Sequence, residues 1–294
     1  MKTVLISGGR GLIGKTLSRL LIKKGYTVYK LTRSPKKSHH IYWNPEKRTA
    51  ESKHLQEIDI IINLAGSNIS KKKWSSSRKK DLVNSRINSI EFLKSLTKKM
   101  PKLKYYISAS GINCYDYNDP HEKTENDPFG EHFLSQLVKD WEIASDGFQD
   151  VCTVAKLRIA MVLDKRGGAL KKIIRAINFG LGSPLGSGQQ YVPWIHIDDL
   201  CNMFLFCIEN NVSGTYNASN GYISNKEFMK TVSKKMRKPF FLPRVPKTIL
   251  NIFLGEMSSI LTESLKVSNE KIIKTGFQFR HSNFDAAISD IIKK

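Results

Sequence analysis

Residues 3–25 read TVLISGGRGLIGKTLSRLLIKKG, and this stretch decides the fold class. Val4–Ser7 is a short apolar run that ends in glycines, a pattern typical of a buried strand. From Leu12 onward the apolar residues follow a helical period, and Gly25 marks the end of the helix. A strand, a glycine turn and a helix in this order are the context that a dinucleotide fingerprint requires. We therefore predict an α/β protein built on a Rossmann sheet.

The turn carries three glycines with the spacing Gly-x-x-Gly-x-x-Gly. We expect Gly8 to permit the tight turn, Gly11 to let backbone amides approach a pyrophosphate, and Gly14 to let the helix pack closely on the strand. The N-terminus of the helix then presents its partial positive charge to the phosphates. The predicted cofactor-binding residues of this turn are Gly8, Arg10, Gly11, Leu12, Ile13 and Gly14.

The second predicted strand, Thr27–Thr32, is followed by Arg33. A site specific for NAD carries Asp or Glu at this point to accept hydrogen bonds from the ribose 2′-hydroxyl. The planar guanidinium of Arg33 suits a 2′-phosphate instead, and the hydroxyls of Thr32 and Ser34 can add hydrogen bonds. We therefore predict NADP as the cofactor. The alternative is that Arg33 is an ordinary surface arginine on a loop.

A third strand is predicted in residues 59–66, DIIINLAG, because this apolar run suits burial on both faces of a parallel sheet. Its last four residues fall at the carboxyl end of the strand, beside the cofactor crevice. Small residues at this edge allow the riboses of the cofactor to approach closely. The predicted contacts are Asn63, Leu64, Ala65 and Gly66.

The composition is that of a globular protein with a strongly basic surface. The 294 residues include 48 Lys and Arg against 26 Asp and Glu, a net charge of +22, and the lysines are spread along the chain. We see no module of clustered arginines with stacking aromatics, so we expect a solvated surface without dedicated nucleic-acid binding.

The apolar runs are shorter than the ~20 residues that cross a bilayer, and the cysteines lack metal-ligand spacing. These features predict a reduced, cytoplasmic protein without membrane contact.

The segments SGGRGLIG, Arg33 and NLAG together resemble the short-chain dehydrogenase/reductase superfamily, in its extended, epimerase-like branch. The segments RKKDLVNSRI, GGAL, GLGSPLGSGQQYVPWIHIDDL and LGEMSSIL…GFQF resemble the poorly characterised sugar-nucleotide-epimerase-like family. The resemblance runs from residue 3 to about residue 290.

The resemblance implies a doubly wound parallel sheet with a smaller C-terminal substrate domain. On this basis residues 1–165 form the NADP-binding Rossmann domain, whose sheet resumes at about 196–220. Residues 166–195 and 221–294 form the substrate-side lobe and the C-terminal small domain. In such relatives the residue matching Arg86 contacts the cofactor, and the position of Asp81 often holds an acidic residue; both are taken as predicted cofactor residues.

The superfamily resemblance also implies where the chemistry belongs. A serine at the end of the strand in residues 105–110 holds the substrate, and a tyrosine and a lysine four residues apart lie on the following helix. That spacing places both side chains on one helix face, where the lysine lowers the pKa of the tyrosine. Residues 132–142, HFLSQLVKDWE, match this helix but lack the pair. Phe133 or Leu134 takes the tyrosine position, and Leu137 or Val138 takes the lysine position.

Catalytic groups must then come from other positions. Ser108 or Ser110 is the candidate for orienting the substrate. Tyr115 matches one tyrosine of a Gly-Tyr-Tyr-Gly-like turn in relatives, so it is the candidate proton donor. The alternative for Tyr115 is a packing role against the cofactor loop.

The segment WIHIDDL, residues 194–200, begins the second half of the predicted fold. We interpret Asp198 or Asp199 as the N-cap of a helix that starts near Leu200. His196 is interpreted as a buried structural residue, with a catalytic base as the alternative.

Two functions remain open from the sequence. The first is an NADP-dependent oxidoreductase or epimerase-like enzyme that acts on a carbonyl or hydroxyl carbon of a small polar metabolite, such as a sugar nucleotide. The second is an NADP-binding sensor or interaction protein with little turnover. The expected partners are a small-molecule substrate and, at most, a second copy of the chain in a homodimer.

Overall fold

The chain forms a large main sheet flanked by helices and a second, smaller sheet. The computed structural model describes residues 2–281 and 283–293. The strands are β1 Thr3–Ser7, β2 Thr27–Thr32, β3 His40–Asn44, β4 Thr49–Ala50, β5 Ile60–Asn63, β6 Tyr105–Gly111, β7 Thr153–Ile159, β8 Met161–Leu163, β9 Tyr191–His196, β10 Gly214–Ala218 and β11 Gly221–Ser224. The helices are α1 Leu12–Lys23, α2 Ser76–Leu96, α3 Phe133–Asp146, α4 Gly168–Asn178, α5 Ile197–Glu209, α6 Asn225–Lys235, α7 Lys247–Leu254, α8 Ser259–Thr262, α9 Glu270–Lys274 and α10 Phe284–Lys293.

The main sheet has the strand order β10-β7-β6-β5-β1-β2-β3-β4. Its strands are parallel except for the short β3–β4 pair. The chain winds outward from β1 in one direction and then returns to β5 on the other side of β1. Ligands of open α/β sheets bind at such a switch point, outside the carboxyl ends of the strands. The predicted doubly wound Rossmann fold is confirmed.

Helices cover both faces of the main sheet because its central strands are apolar on both sides. In β1, Val4 and Ile6 pack in one core with α1 and α5, whereas Leu5 packs in the other core with α2 and α3. Every residue of β1 is buried. This double burial explains why the strand reads as a continuous apolar run rather than an alternating one.

Residues 133–142 belong to the helix α3, as the apolar spacing of HFLSQLVKDWE predicted. The ring of His132 caps α3 by accepting a hydrogen bond from the Ser135 amide. Leu137, Val138 and Trp141 are buried, and the single lysine of the stretch is exposed. The helix therefore belongs to the fold without supplying a buried tyrosine or lysine.

The second sheet has the order β11-β9-β8 and shares a core with α4, α6 and α10. The chain passes from the main sheet to the second sheet at Ala160, because β7 ends at Ile159 and β8 begins at Met161 in the other sheet. After β9 the chain returns to the main sheet through α5 and β10. The predicted domain boundaries stay a prediction. None of the helices in the described ranges is long and apolar enough to span a membrane.

The N-terminus of α5 differs from the sequence interpretation. The helix begins at Ile197 rather than near Leu200, and the Nδ1 atom of His196, not an aspartate, accepts the hydrogen bond from the Asp198 amide. Asp199 is fully buried and accepts hydrogen bonds from the Arg280 amide at 2.7 Å and from the His281 ring at 2.8 Å. The carboxylate therefore ties the C-terminal segment to α5. An aspartate already committed to this contact is not available as the N-cap.

The cap histidine predicts a pH dependence of stability. Burial, and then the neighbouring His281, lower the pKa of His196 to about 4 from its ordinary value of 6.5. The unfolded chain therefore binds more protons between these two values, so stability is complete above about pH 6.5 and falls as the pH drops toward 4. We expect a loss on the order of 2–3 kcal/mol over this interval from His196 alone.

Urea unfolding at pH 7 and pH 4.5 measures this loss. The matched variant is His196→Asn, which keeps a cap acceptor but does not titrate. The variant should lose less stability on acidification than the wild type. Equal losses in both proteins would contradict the assignment.

Candidate cofactor cleft and catalytic site

A cavity of about 820 Å³ lies at the switch point of the main sheet. It is bounded by the glycine turn, the tip of β2, the end of β5 and the first half of α2. The predicted cofactor residues that line it are Gly8, Arg10, Gly11, Thr32, Arg33, Leu64, Ala65, Gly66 and Asp81. Segments far apart in the sequence thus meet at one crevice, although cofactor contact by these residues stays a prediction.

The glycine turn has the geometry that its spacing suggests. Gly8 has a φ of 68°, in the left-handed region, and a Cβ there would lie 2.4 Å from the Leu64 carbonyl oxygen. A Cβ on Gly14 would lie 2.6 Å from the Cα of Gly9. There is therefore no room for a Cβ at Gly8 or at Gly14, the first and last glycines of the turn. Gly11 caps α1 with an ordinary φ of −70°, and its amide donates to the Gly8 carbonyl.

Five predicted cofactor residues do not line the cavity: Leu12, Ile13, Gly14, Asn63 and Arg86. Leu12 and Ile13 turn their side chains into the protein, and only their backbone lies at the α1 N-terminus. Asn63 is fully buried and accepts a hydrogen bond from Ser7 at 2.5 Å. Contact of these five residues with a cofactor therefore stays a prediction.

Arg86 lies immediately behind the cavity wall. Its guanidinium fills the space where Gly66 would carry a Cβ, 3.1 Å from that position, and packs 4.8 Å from the ring of Trp141. It donates to the carbonyls of Leu82 and Ser67, and burial lowers its pKa to about 10. The Nε atom has no hydrogen-bond partner among the described residues. Arg86 thus places a buried positive charge against the Gly66–Ser67 wall.

The tip of β2 is rich in positive charge. Arg33 makes a 3.9 Å ion pair with Glu46 in which both side chains are largely exposed. A solvated ion pair of this kind contributes little free energy, so the guanidinium can leave Glu46 and bind a ligand phosphate with little loss of stability. Burial lowers the pKa of the nearby Lys30, and the positive charges of Lys37, Arg19 and Lys15 lower it further.

Sequence reasoning missed one wall of the cavity, the polar stripe on α2. The stripe continues from Asp81 through Asn84, Ser85, Asn88 and Ser89, all of which line the crevice. Their spacing of three and four residues puts them on one helix face. The helical spacing of these small polar residues is visible in the sequence and could have identified this wall. The ring of Trp43 closes the opposite wall and packs parallel to Phe92 at 6.2 Å.

The three catalytic candidates are buried rather than presented to the cavity. Tyr115 is fully buried; its hydroxyl donates to Asn217 at 2.6 Å and accepts from Arg158 at 2.9 Å. Burial, and then the neighbouring Cys114, raise the pKa of Tyr115 far above its ordinary value. A proton donor must reach its substrate, so catalysis by Tyr115 requires these contacts to open. The packing alternative fits the observed contacts directly.

The two serines are engaged as well. The hydroxyl of Ser110 donates to Glu142 at 2.6 Å, and that of Ser108 donates to the Ala109 carbonyl at 2.9 Å. Glu142 in turn makes a bidentate pair with Arg158 at 2.8 and 2.9 Å. Substrate orientation by either serine stays a prediction.

A second cavity of about 460 Å³ lies where the N-terminus of α3 faces α7 and α8. Trp74, Phe133 and Leu134 form its apolar side, and Asn251 and Ser258 are among its polar residues. Leu134 is one of the two residues matched to the missing tyrosine. The cavity therefore opens beside the residues that the sequence analysis matches to the tyrosine position, and this match stays a prediction.

The fold is that of a Rossmann protein of the short-chain dehydrogenase/reductase type. It has this strand order, a glycine turn at the switch point of the sheet and a crevice at the carboxyl edge. The chain belongs to the NAD dependent epimerase/dehydratase family, whose sequence pattern matches residues 4–219. A domain of unknown function (DUF1731) matches residues 245–291. The family prediction is confirmed.

Relatives and solved structures of the same family match the whole chain. The mouse (Mus musculus) epimerase family protein SDR39U1 is 31% identical, covering 98% of this chain and 99% of that protein. The Staphylococcus aureus (strain N315) epimerase family protein SA0724 is 35% identical over the full length of both. The crystal structure of human epimerase family protein SDR39U1 (isoform 2) with NADPH has a TM-score of 0.91 at 30% identity and covers 99% of each chain. A nucleoside-diphosphate sugar epimerase from Corynebacterium glutamicum has a TM-score of 0.81 at 26% identity, covering 99% of this chain and 58% of that one.

Proposed function

We propose that the chain binds NADP(H) in the larger cavity. The observation that carries this proposal is the pairing of a closed glycine turn with Arg33 at the tip of β2, where an NAD site carries an acid. Arg10 lines the same end of the cavity and adds a second guanidinium. The NADPH in the structure of the human relative supports the same cofactor.

We further propose that the cofactor serves an oxidoreductase or epimerase reaction at a carbonyl or hydroxyl carbon. When bound, the nicotinamide supplies or accepts hydride. The α1 N-terminus and the glycine turn would hold the pyrophosphate, and the polar stripe on α2 would face the riboses. The smaller cavity would hold the substrate, with α7 and α8 excluding water from the reacting carbon.

The sensor function remains a second candidate because of one specific observation. The hydroxyls of Tyr115, Ser108 and Ser110 are all committed to buried partners, and no tyrosine or lysine replaces the missing pair on α3. The same cleft is compatible with a protein that binds NADP(H) without catalysing a reaction.

A metabolite screen tests turnover. The oxidation of NADPH is followed across small carbonyl compounds, with Tyr115→Phe and Ser110→Ala as variants. Activity that both variants retain in full would reject these residues as catalytic. Because an epimerase that regenerates its cofactor is silent in this screen, mass spectrometry of the small molecules that co-purify with the protein completes the test.

Arg33→Ser is expected to weaken NADPH binding by about tenfold to hundredfold, since one charge-assisted contact to the 2′-phosphate is lost. NADH has no 2′-phosphate, so its affinity should change little. Quenching of protein fluorescence by each cofactor measures both affinities. The matched control is Arg48→Ser, an exposed arginine on the β3–β4 connection that does not line the cavity. An equal loss in both variants, or an equal loss for both cofactors, would contradict the assignment.

A further inference from the structure

The net charge of the chain is concentrated in three segments. Residues 60–80, 165–197 and 228–255 contain 18 Lys and Arg and no Asp or Glu. The rest of the chain contains 30 Lys and Arg against 26 Asp and Glu. Nearly all of the net charge of +22 therefore comes from these segments, which we call the acid-free segments.

The acid-free segments are neighbours in the fold. Lys172 on α4 donates to the Ser70 carbonyl at 3.1 Å, and Lys73 donates to the Ile252 carbonyl on α7 at 3.1 Å. Leu185 forms a parallel bridge with Val245, which joins the stretch after α4 to the connector before α7. The three segments therefore adjoin in the fold, and we call their shared exposed surface the basic face. Three of its lysines, Lys79, Lys235 and Lys247, pair with acids from outside the segments.

The acid-free segments also carry the most exposed of the large apolar side chains. Five large hydrophobic residues are between 61% and 77% exposed within these segments. They are Phe179, Leu181, Phe241, Ile252 and Phe253. The helix α7 has an apolar sequence, TILNIFL, and none of its residues is buried. Exposed apolar side chains set among basic residues mark an interaction surface rather than ordinary solvent-facing structure.

We propose that this face binds the surface of an anionic lipid bilayer. Phenylalanine, leucine and isoleucine side chains enter the boundary between headgroups and acyl chains, and the surrounding lysines and arginines attract the anionic headgroups. That no helix in the described ranges could span a membrane does not bear on this mode, because the protein would lie on the bilayer rather than across it. The proposal differs from the sequence-based expectation of a protein without membrane contact, and vesicle binding decides between the two.

The side-chain chemistry favours a bilayer over a nucleic acid. Single-stranded nucleic acids are held by aromatic rings on which bases stack, and the three exposed phenylalanines could serve in this way, but the equally exposed Leu181 and Ile252 offer no ring. The positive charge is also carried mainly by lysine rather than by the arginine forks that read phosphates and bases. A second copy of the chain is disfavoured as the partner, because it would bring an equally basic face against this one.

Co-sedimentation of the full-length protein with vesicles tests the proposal. We expect binding to phosphatidylcholine vesicles containing about 30% phosphatidylglycerol, weakening as salt is added, and no binding to phosphatidylcholine alone. The double variants Phe241→Ser/Phe253→Ser and Lys71→Gln/Lys72→Gln should each lower the affinity by about tenfold or more. Retained NADPH affinity shows that these variants are folded.

Matched controls distinguish an effect of this face from a general effect of net charge or of exposed apolar residues elsewhere. Lys98→Gln/Lys99→Gln removes the same charge, and Ile22→Ser/Ile143→Ser removes two exposed apolar side chains, all outside the acid-free segments. Both controls should bind vesicles as the wild type does. A control that loses as much affinity as its counterpart would overturn the proposal. So would an absence of vesicle binding, or tighter binding to a single-stranded oligonucleotide that the phenylalanine variant leaves unchanged.

Discussion

Replacement of Glu142 by glutamine is expected to lower the free energy of unfolding by about 3–5 kcal/mol. Glu142 and Arg158 are each 4% exposed and form a bidentate pair, and the same carboxylate accepts the hydrogen bond of Ser110. Neutralising Glu142 leaves the guanidinium buried without its counter-charge, which costs more than the pair itself contributes. Urea unfolding followed by circular dichroism measures the change.

The control for this prediction lies two residues away on the same helix. Asp140 is exposed, so Asp140→Asn should change stability by no more than about 0.5 kcal/mol. A second variant, Glu142→Leu with Arg158→Met, removes both charges and should recover much of the loss. If Glu142→Gln cost no more than Asp140→Asn, the buried pair would not be what joins α3 to β7.

Gly8→Ala is expected to cost more than about 3 kcal/mol of stability and to abolish NADPH binding at micromolar concentrations. The left-handed φ of 68° strains any side chain, and the new Cβ would meet the Leu64 carbonyl oxygen at 2.4 Å. Relief requires the turn to move away from β5, and this movement distorts the wall that faces the pyrophosphate. Thermal unfolding and NADPH titration report the two effects.

Gly25→Ala separates the backbone strain from the clash. Gly25 has a φ of 86°, but nothing lies within 4 Å of its added Cβ. This variant should lose only about 1 kcal/mol and keep its NADPH affinity. Similar effects of the two substitutions would show that Gly8 matters for its backbone angle alone and not for its closeness to β5.

The fold was predictable because its signals are local and repeated. The step from β1 through the glycine turn to α1 follows from residues 3–25 alone, since the apolar period changes within them. The apolar run of β5 likewise reflects burial on both faces. The helical period of residues 132–142 was readable even though the expected tyrosine and lysine are missing, because the period reports packing and not chemistry.

Other features depend on contacts between distant segments and could not be read locally. The helix α5 begins at Ile197, so His196 is its N-cap and Asp198 and Asp199 lie in its first turn. The Asp199 carboxylate instead contacts residues 280 and 281, more than eighty positions away. Tyr115 was a reasonable proton donor by its place in the turn, but its buried partners Arg158 and Asn217 come from β7 and β10. The basic face was hidden for the same reason, since its three segments meet only in the folded chain.

We expect the larger cavity to select NADP(H) through Arg33 at the tip of β2 together with Arg10 in the glycine turn. Titration of the purified protein with NADPH and with NADH, each followed by quenching of protein fluorescence, tests it most directly. We expect an affinity for NADPH that is at least about tenfold higher than that for NADH at moderate salt. Equal affinities for the two cofactors would contradict it.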